Sequence, residues 1–201
     1  MSRITLSGYD HIQVLGPAAD LTHMAFRAAR SIALAVSVIG LWAVPSTAGA
    51  TADQPATAAR VLEQGVLYSM NALRREHGLV PLRLSSGLGA AARQHSSEMA
   101  IRGYFSHSSV NGSSFGRRVA RFYPMAHRRF WSVGENLLWS SPDVDAAKAL
   151  DMWLNSPEHR KNMLTARWRE IGLSAVHVPS APGTFGGREV TIVTADFGVR
   201  R

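Results

Sequence analysis

Apolar residues follow two different rhythms along this chain, and the change from one to the other divides it. Between residues 60 and 77, Val61, Val66, Leu67, Met70 and Leu73 recur at helical spacing, and Gly78 supplies the stop. Residues 81–84 read as a short extended piece. A second helix, capped by Ser85 or Ser86, runs to Ile101 with Leu88, Ala91, Ala92, His95 and Met99 along one stripe, and Gly103 closes it. Residues 103–134 lose both rhythms and are rich in Gly, Ser and aromatics. They read as loop interrupted by one short helix over 115–122. Residues 136–139 have strand character. Ser141-Pro142-Asp143 opens a third helix through Trp153, with the proline near its first turn, and Ser156-Pro157-Glu158 opens a fourth that ends near Leu164. Two strands close the chain, over 171–178 and 189–197, each apolar on both faces, as in a sheet covered on two sides. Helices first and strands last predict an α+β fold, a three-layer α-β-α sandwich. There is no internal repeat.

The N-terminal quarter follows a different pattern. Arg27 and Arg30 precede an apolar run of 14 residues, 31–44, which Pro45 and Ala48-Gly49-Ala50 follow. A basic start, a short apolar stretch and a small-x-small end predict a secretory signal peptide cleaved after Ala50. A membrane span needs about 20 apolar residues, so this run is too short to remain as one. Residues 1–50 are therefore expected to be a leader, with Met24 a natural start, since residues 1–23 carry no pattern. Residues 51–59 are small and polar and read as a linker. The domain is expected over 60–201.

Composition narrows the chemistry. The chain has no cysteine, which removes a disulfide framework, a zinc-thiolate site and a cysteine nucleophile together. Residues 51–201 hold 19 Lys and Arg against 12 Asp and Glu, a formal net charge of +7 supplied almost wholly by arginine. Such a surface attracts anionic wall polymers, lipid head groups or nucleic acid. Arg117, Arg118, Arg121, Arg128 and Arg129 form the densest basic cluster, interleaved with Phe122, Tyr123, Phe130 and Trp131. We read it as a solvated basic loop with core aromatics, and export makes nucleic acid an improbable partner.

Three segments carry candidate chemistry: Tyr104-Phe105-Ser106-His107-Ser108, Gly134-Glu135-Asn136-Leu137, and Trp153 to Arg160, which contains Ser156-Pro157-Glu158-His159. Each sets a His or Glu at a loop or a helix start, where side chains face outward. His95 lies on an apolar stripe and reads as a core histidine. Asn136 and Asn162 read as backbone-bonding residues. Ser106 and Ser156 lack the Gly-x-Ser-x-Gly setting of a nucleophile. His107, Glu135 and His159 are too far apart in sequence for spacing to show that they meet.

The whole ordered series resembles the bacterial branch of the CAP superfamily: Ser96-x-x-Met99, Gly-Tyr-Phe-Ser-His, Gly-Glu-Asn, Trp-x-x-Ser-Pro-x-His-Arg and a terminal Asp196-Phe197-Gly198. That superfamily includes cysteine-rich secretory proteins, plant pathogenesis-related proteins and venom allergens, and the resemblance spans residues 60–199. It implies an α-β-α sandwich with a surface cleft of two histidines and two acids. His107 and His159 match the histidines, and Glu135 matches the first acid. The second acid's position, three residues after Trp153, is Ser156 here. Two imidazoles and one carboxylate are then an open set that can hold zinc with water completing the shell. The same trio can also do acid–base chemistry without metal, or serve only as a hydrogen-bonded polar cleft.

The sequence thus predicts a secreted, monomeric, non-enzymatic binding module of the extracellular space or cell envelope, without an organic cofactor. Its partner would be an envelope lipid, wall polymer or protein. The alternative is a metal-assisted hydrolase of wall polymer or peptide, which the missing acid at Ser156 disfavours.

Overall fold

The computed structural model describes residues 54–201; the expected leader, its cleavage point after Ala50 and residues 51–53 lie outside the described residues. Helix α1, Gln54–Glu76, takes residues 54–59 of the expected linker into its first turns. Alanines at 56, 58 and 59 favour helix, and Pro55 is tolerated in a first turn. Val66 and Met70 of α1 are fully buried, and Gly78 follows with φ 66°. Strand β1, Arg83–Leu84, leads into α2, Ser86–Arg102. The hydroxyl of Ser85 caps α2 by accepting from Leu88 N, and Gly103 ends it at φ 69°.

Helix α3, Phe115–Phe122, precedes strand β2, Trp131–Ser140. The strand is longer than its alternation suggested, because Ser132, Gly134 and Glu135 hide the apolar period. Helix α4, Ala146–Leu154, starts later than Ser141-Pro142-Asp143 implied. Asp145 is the residue whose carboxylate accepts from Lys148 N, at 2.8 Å, and so sets the first turn. Ser141 instead donates its hydroxyl to the Glu189 carbonyl. Helix α5, Pro157–Met163, follows directly, and β3, Glu170–Ala181, and β4, Arg188–Arg200, complete the chain.

The sheet order is β1-β3-β4-β2, with β1 parallel to β3 and the other pairs antiparallel. Both faces are covered, as the two-sided apolar strands predict. On one face Leu138, Ile171, Leu173, Val193, Ala195 and Phe197 pack with Val66, Met70 and Trp153 from α1 and α4. On the other, Leu137, Trp139, Val190 and Ile192 pack with Met99 of α2, and Leu88, Val119 and Tyr123 join α2 to α3. Burying one such side chain contributes about 1.5–3 kcal/mol, so these two layers carry the sandwich.

Two local devices position the site. Gly103 and Gly183 have left-handed backbones pressed together, and a Cβ on Gly183 would lie 2.1 Å from the Gly103 carbonyl oxygen. The loop after α2 thus starts against the β3–β4 turn. Arg74 is fully buried on α1 and donates to the carbonyls of Met163, at 2.6 Å, and Thr165, at 3.1 Å, fixing the end of α5. No helix among the described residues is long and apolar enough to cross a membrane.

Candidate functional site

β2 is an edge strand, and its Gly134-Glu135-Asn136 segment holds α5 on one side and the loop of His107 on the other. Successive residues of a strand point to opposite faces. Asn136 points toward α5, where its amide donates to the His159 carbonyl at 3.1 Å and its oxygen accepts from Asn162 at 2.9 Å. A Cβ on Gly134 would lie 2.6 Å from the Asn162 amide oxygen, so only glycine lets β2 and α5 approach this closely. Glu135 points the other way, fully buried, toward the loop that carries His107.

One Glu135 oxygen accepts from His107 Nδ1 at 2.8 Å, and the other accepts from the buried guanidinium of Arg118. Arg118 also donates to the His107 carbonyl, at 3.0 Å, and to the Ser109 hydroxyl. On the α2 side, His95 is fully buried and its Nε2 donates to the Ser106 carbonyl at 2.8 Å. His107 is thereby held at its ring, at its own carbonyl and at the residue before it. With Nδ1–H given to a carboxylate, the lone pair of His107 lies on Nε2. That Nε2 is buried without a hydrogen-bond partner, as are both ring nitrogens of His159. Burial, then the neighbouring His107, push the His159 imidazole down to about 4, so it is neutral at physiological pH.

Electrostatics divide the buried acids. Burial would raise the Glu135 carboxyl, but Arg118 first and then His107 outweigh it and hold it below its usual range. Asp196 is the cross-strand partner of Glu135, is equally buried, and has neither oxygen hydrogen-bonded among the described residues. Burial and the charge of Glu135 raise its carboxyl well above the usual range. One lowered carboxyl and one raised carboxyl therefore flank one guanidinium. His95 is pushed down to about 4, chiefly by burial.

The structure brings His107 and Glu135 into contact and sets His159 close to His107. Glu135, however, has both oxygens committed, so it stands behind His107 as an orienting group. No three His, Asp or Glu side chains among the described residues gather as a metal cluster. What remains is a pair of neighbouring imidazoles whose buried ring nitrogens, Nε2 of His107 and both of His159, have no hydrogen-bond partner among the described residues. Ser156 is buried at the start of α5.

Arg118 corrects the sequence expectation. In place of the expected solvated setting, it is 1% exposed and neutralises Glu135. Its signal was available: on α3 it sits beside the buried Val119, and a buried glutamate elsewhere needs a cation. Asp196 has a place in the cluster that the terminal Asp-Phe-Gly pattern does not by itself announce. It follows Ile192 and Thr194 at period two on a strand covered on both faces, which already requires its burial. His95 is the core histidine expected and Asn136 bonds backbone, at the His159 carbonyl, whereas the Asn162 side chain bonds the side chains of Asn136 and Trp168 instead of backbone.

Comparison with known proteins agrees with this architecture. A family model described as the cysteine-rich secretory protein family, CAP, matches residues 67–197. An uncharacterized membrane protein of Bacillus subtilis, YlbC, is 32% identical over 111 residues, which cover 55% of this chain and 30% of that one. The uncharacterized protein YkwD of the same organism is 30% identical over 115 residues, 57% of this chain and 42% of its own. The chain thus matches less than half the length of these curated relatives. Among solved structures, an extracellular protein containing an SCP domain from Bacillus anthracis has a TM-score of 0.58 at 26% identity, covering 77% of this chain and 45% of that one. A cysteine-rich secretory protein from Staphylococcus aureus, at 17% identity and TM-score 0.51, shares the fold over 72% of this chain and 40% of its own.

Proposed function

The chain belongs to the cysteine-rich secretory protein (CAP) family, and on that premise we propose that it is an exported binding module whose cleft holds a divalent metal between His107 and His159. The observation that carries this is a buried imidazole, His159, beside a half-buried one, His107, with unpartnered buried ring nitrogens on both and the second oriented by a carboxylate. A buried polar atom without a partner is costly, so such a site favours an occupant. His107 through Nε2 and His159 through one ring nitrogen would hold the metal, Glu135 would fix the tautomer of His107, and zinc suits the imidazole set. When bound, the metal would supply a Lewis-acidic point for an anionic or carbonyl group of an envelope ligand. Export is supported by the leader pattern ahead of Ala50 and by the extracellular description of the Bacillus anthracis relative.

Titration calorimetry with zinc on the secreted protein, alongside sequencing of its N-terminus, tests both parts. Binding of one zinc per chain and a start at Thr51 are expected. A folded protein that ignores zinc would reduce the cleft to a structural hydrogen-bond network. The metal-assisted hydrolase uses the same residues and is separated by assay: zinc-dependent turnover of wall fragments would replace the binding role with it.

A further inference from the structure

A cavity of about 380 Å³ opens at the C-terminal end of β4 and is lined by none of His107, Glu135 and His159. Its lining includes Arg83, Arg128, Arg167, Arg169, Arg200 and Arg201, against a single acid, Glu170. These arginines come from β1, the loop after α3, the turn before β3 and the C-terminal end of β4, so the fold gathers them from four separate stretches of chain.

Several are held in place. The Arg200 guanidinium lies 4.0 Å from the centroid of Tyr123, and its Nε is 3.9 Å from Glu170. The same carboxylate accepts from the Tyr123 hydroxyl. Arg169 donates to the carbonyls of Ala166 and Trp168, at 2.7 and 2.8 Å. Arg167 stacks on Trp168 and Arg201 on Phe130, with ring-centroid distances of 5.6 and 5.1 Å. Among the described residues only Arg200 of this group has a carboxylate within ion-pair reach. Clustered guanidinium groups repel one another, and here Glu170 offsets little of that repulsion. An anion in the cavity would relieve it. Guanidinium forks match the oxygens of a phosphate two at a time, and groups already braced by stacking and carbonyl bonds lose less freedom on binding.

We propose that this arginine-lined cavity is a binding site for a phosphate group, carried either by a soluble phosphate compound or by a lipid head group. It is independent of the metal cleft. Arg83 and Arg128 are exposed and, among the described residues, make no side-chain hydrogen bond or ion pair, so they can be altered without disturbing the fold. Arg117 and Arg121 on α3 are exposed arginines outside the cavity and serve as the charge-matched control.

The experiment measures binding of inorganic pyrophosphate to the whole protein by calorimetry, and of phosphatidylglycerol vesicles by sedimentation, both at low and at moderate salt. Pyrophosphate should bind with one site per chain and weaken as salt rises. The Arg83→Gln/Arg128→Gln double variant should bind about tenfold more weakly, whereas Arg117→Gln/Arg121→Gln should bind as the parent does. Loss of vesicle binding in the first double variant, but not in the second, would assign the phosphate to a lipid head group. Vesicle binding that ignores both variants would assign a soluble phosphate. Equal weakening of pyrophosphate binding by both variants, or no binding at low salt, would overturn the site.

Discussion

Glu135 on β2 and Asp196 on β4 are direct cross-strand partners, and neither exposes any surface. Two carboxyl groups so placed cannot both ionise cheaply. Arg118 divides them: it bonds Glu135 and holds that carboxyl low, while burial and the charge of Glu135 hold the Asp196 carboxyl well above its usual range.

That arrangement makes Asp196 a source of pH-dependent stability. Its carboxyl is raised in the folded chain, so as pH climbs past the ordinary value of 3.8 the unfolded chain releases the proton first and gains on the folded one. Asp196→Asn, permanently neutral and of the same shape, removes this loss. The variant should be more stable than the parent at pH 7, with the gain vanishing below pH 3.8. Urea unfolding followed by circular dichroism measures it, and a gain independent of pH would contradict the assignment.

His95 and His159 act in the opposite sense. Each is pushed from 6.5 to about 4 in the folded state, so the unfolded chain takes up protons first as pH falls. The stability they contribute is complete above pH 6.5 and is lost between there and pH 4, by about 3 kcal/mol for each group. The Asp196→Asn background exposes this loss, since Asp196 otherwise opposes it. A flat urea midpoint across that window would show both imidazoles to be solvated.

Arg118 should be the most sensitive residue of the cluster. Arg118→Ala leaves Glu135 buried beside a vacated guanidinium and should cost about 3–5 kcal/mol. It also frees the His107 carbonyl and Ser109, so amide exchange should accelerate locally in residues 106–109. Uniform acceleration over the whole domain, with no local excess, would argue against a loop-pinning role.

Zinc binding should depend unequally on the three cleft residues. His107→Ala and His159→Ala should each abolish it, while Glu135→Gln should weaken it by about 10–100-fold through a misoriented imidazole. His159 keeps its ligating form until pH falls near 4, well below the ordinary 6.5 of a free histidine. Calorimetry on variants shown to be folded provides the check, and parent-like affinity in either histidine variant would remove that residue from the site.

Much of this was legible in the sequence where one residue's chemistry suffices. The caps at Ser85 and Gly103 and the two-faced strands each state their structure locally. The ordered motifs pointed to His107, Glu135 and His159. The relations between residues were harder to see. Arg118 looked like its neighbours Arg117 and Arg121, because only the position of Glu135 across the fold distinguishes it. The start of α4 went to Asp145 rather than Ser141 because a carboxylate cap won over a serine and proline pair. Arg83 and Arg200 lie far apart along the chain, and only the packing of β1, β3 and β4 joins them.

The contact between Gly103 and Gly183 has a bearing on where this chain can accept foreign sequence. A methyl group fits at neither residue, so the loop cannot slide at its α2 end, and Arg118 anchors it again beyond His107. Beyond those moorings the tip at Val110, Asn111 and Gly112 is exposed, and the Ser109–Gly112 turn closes beneath it. An epitope spliced at that tip would ride as a passenger, with His107 left in its seat.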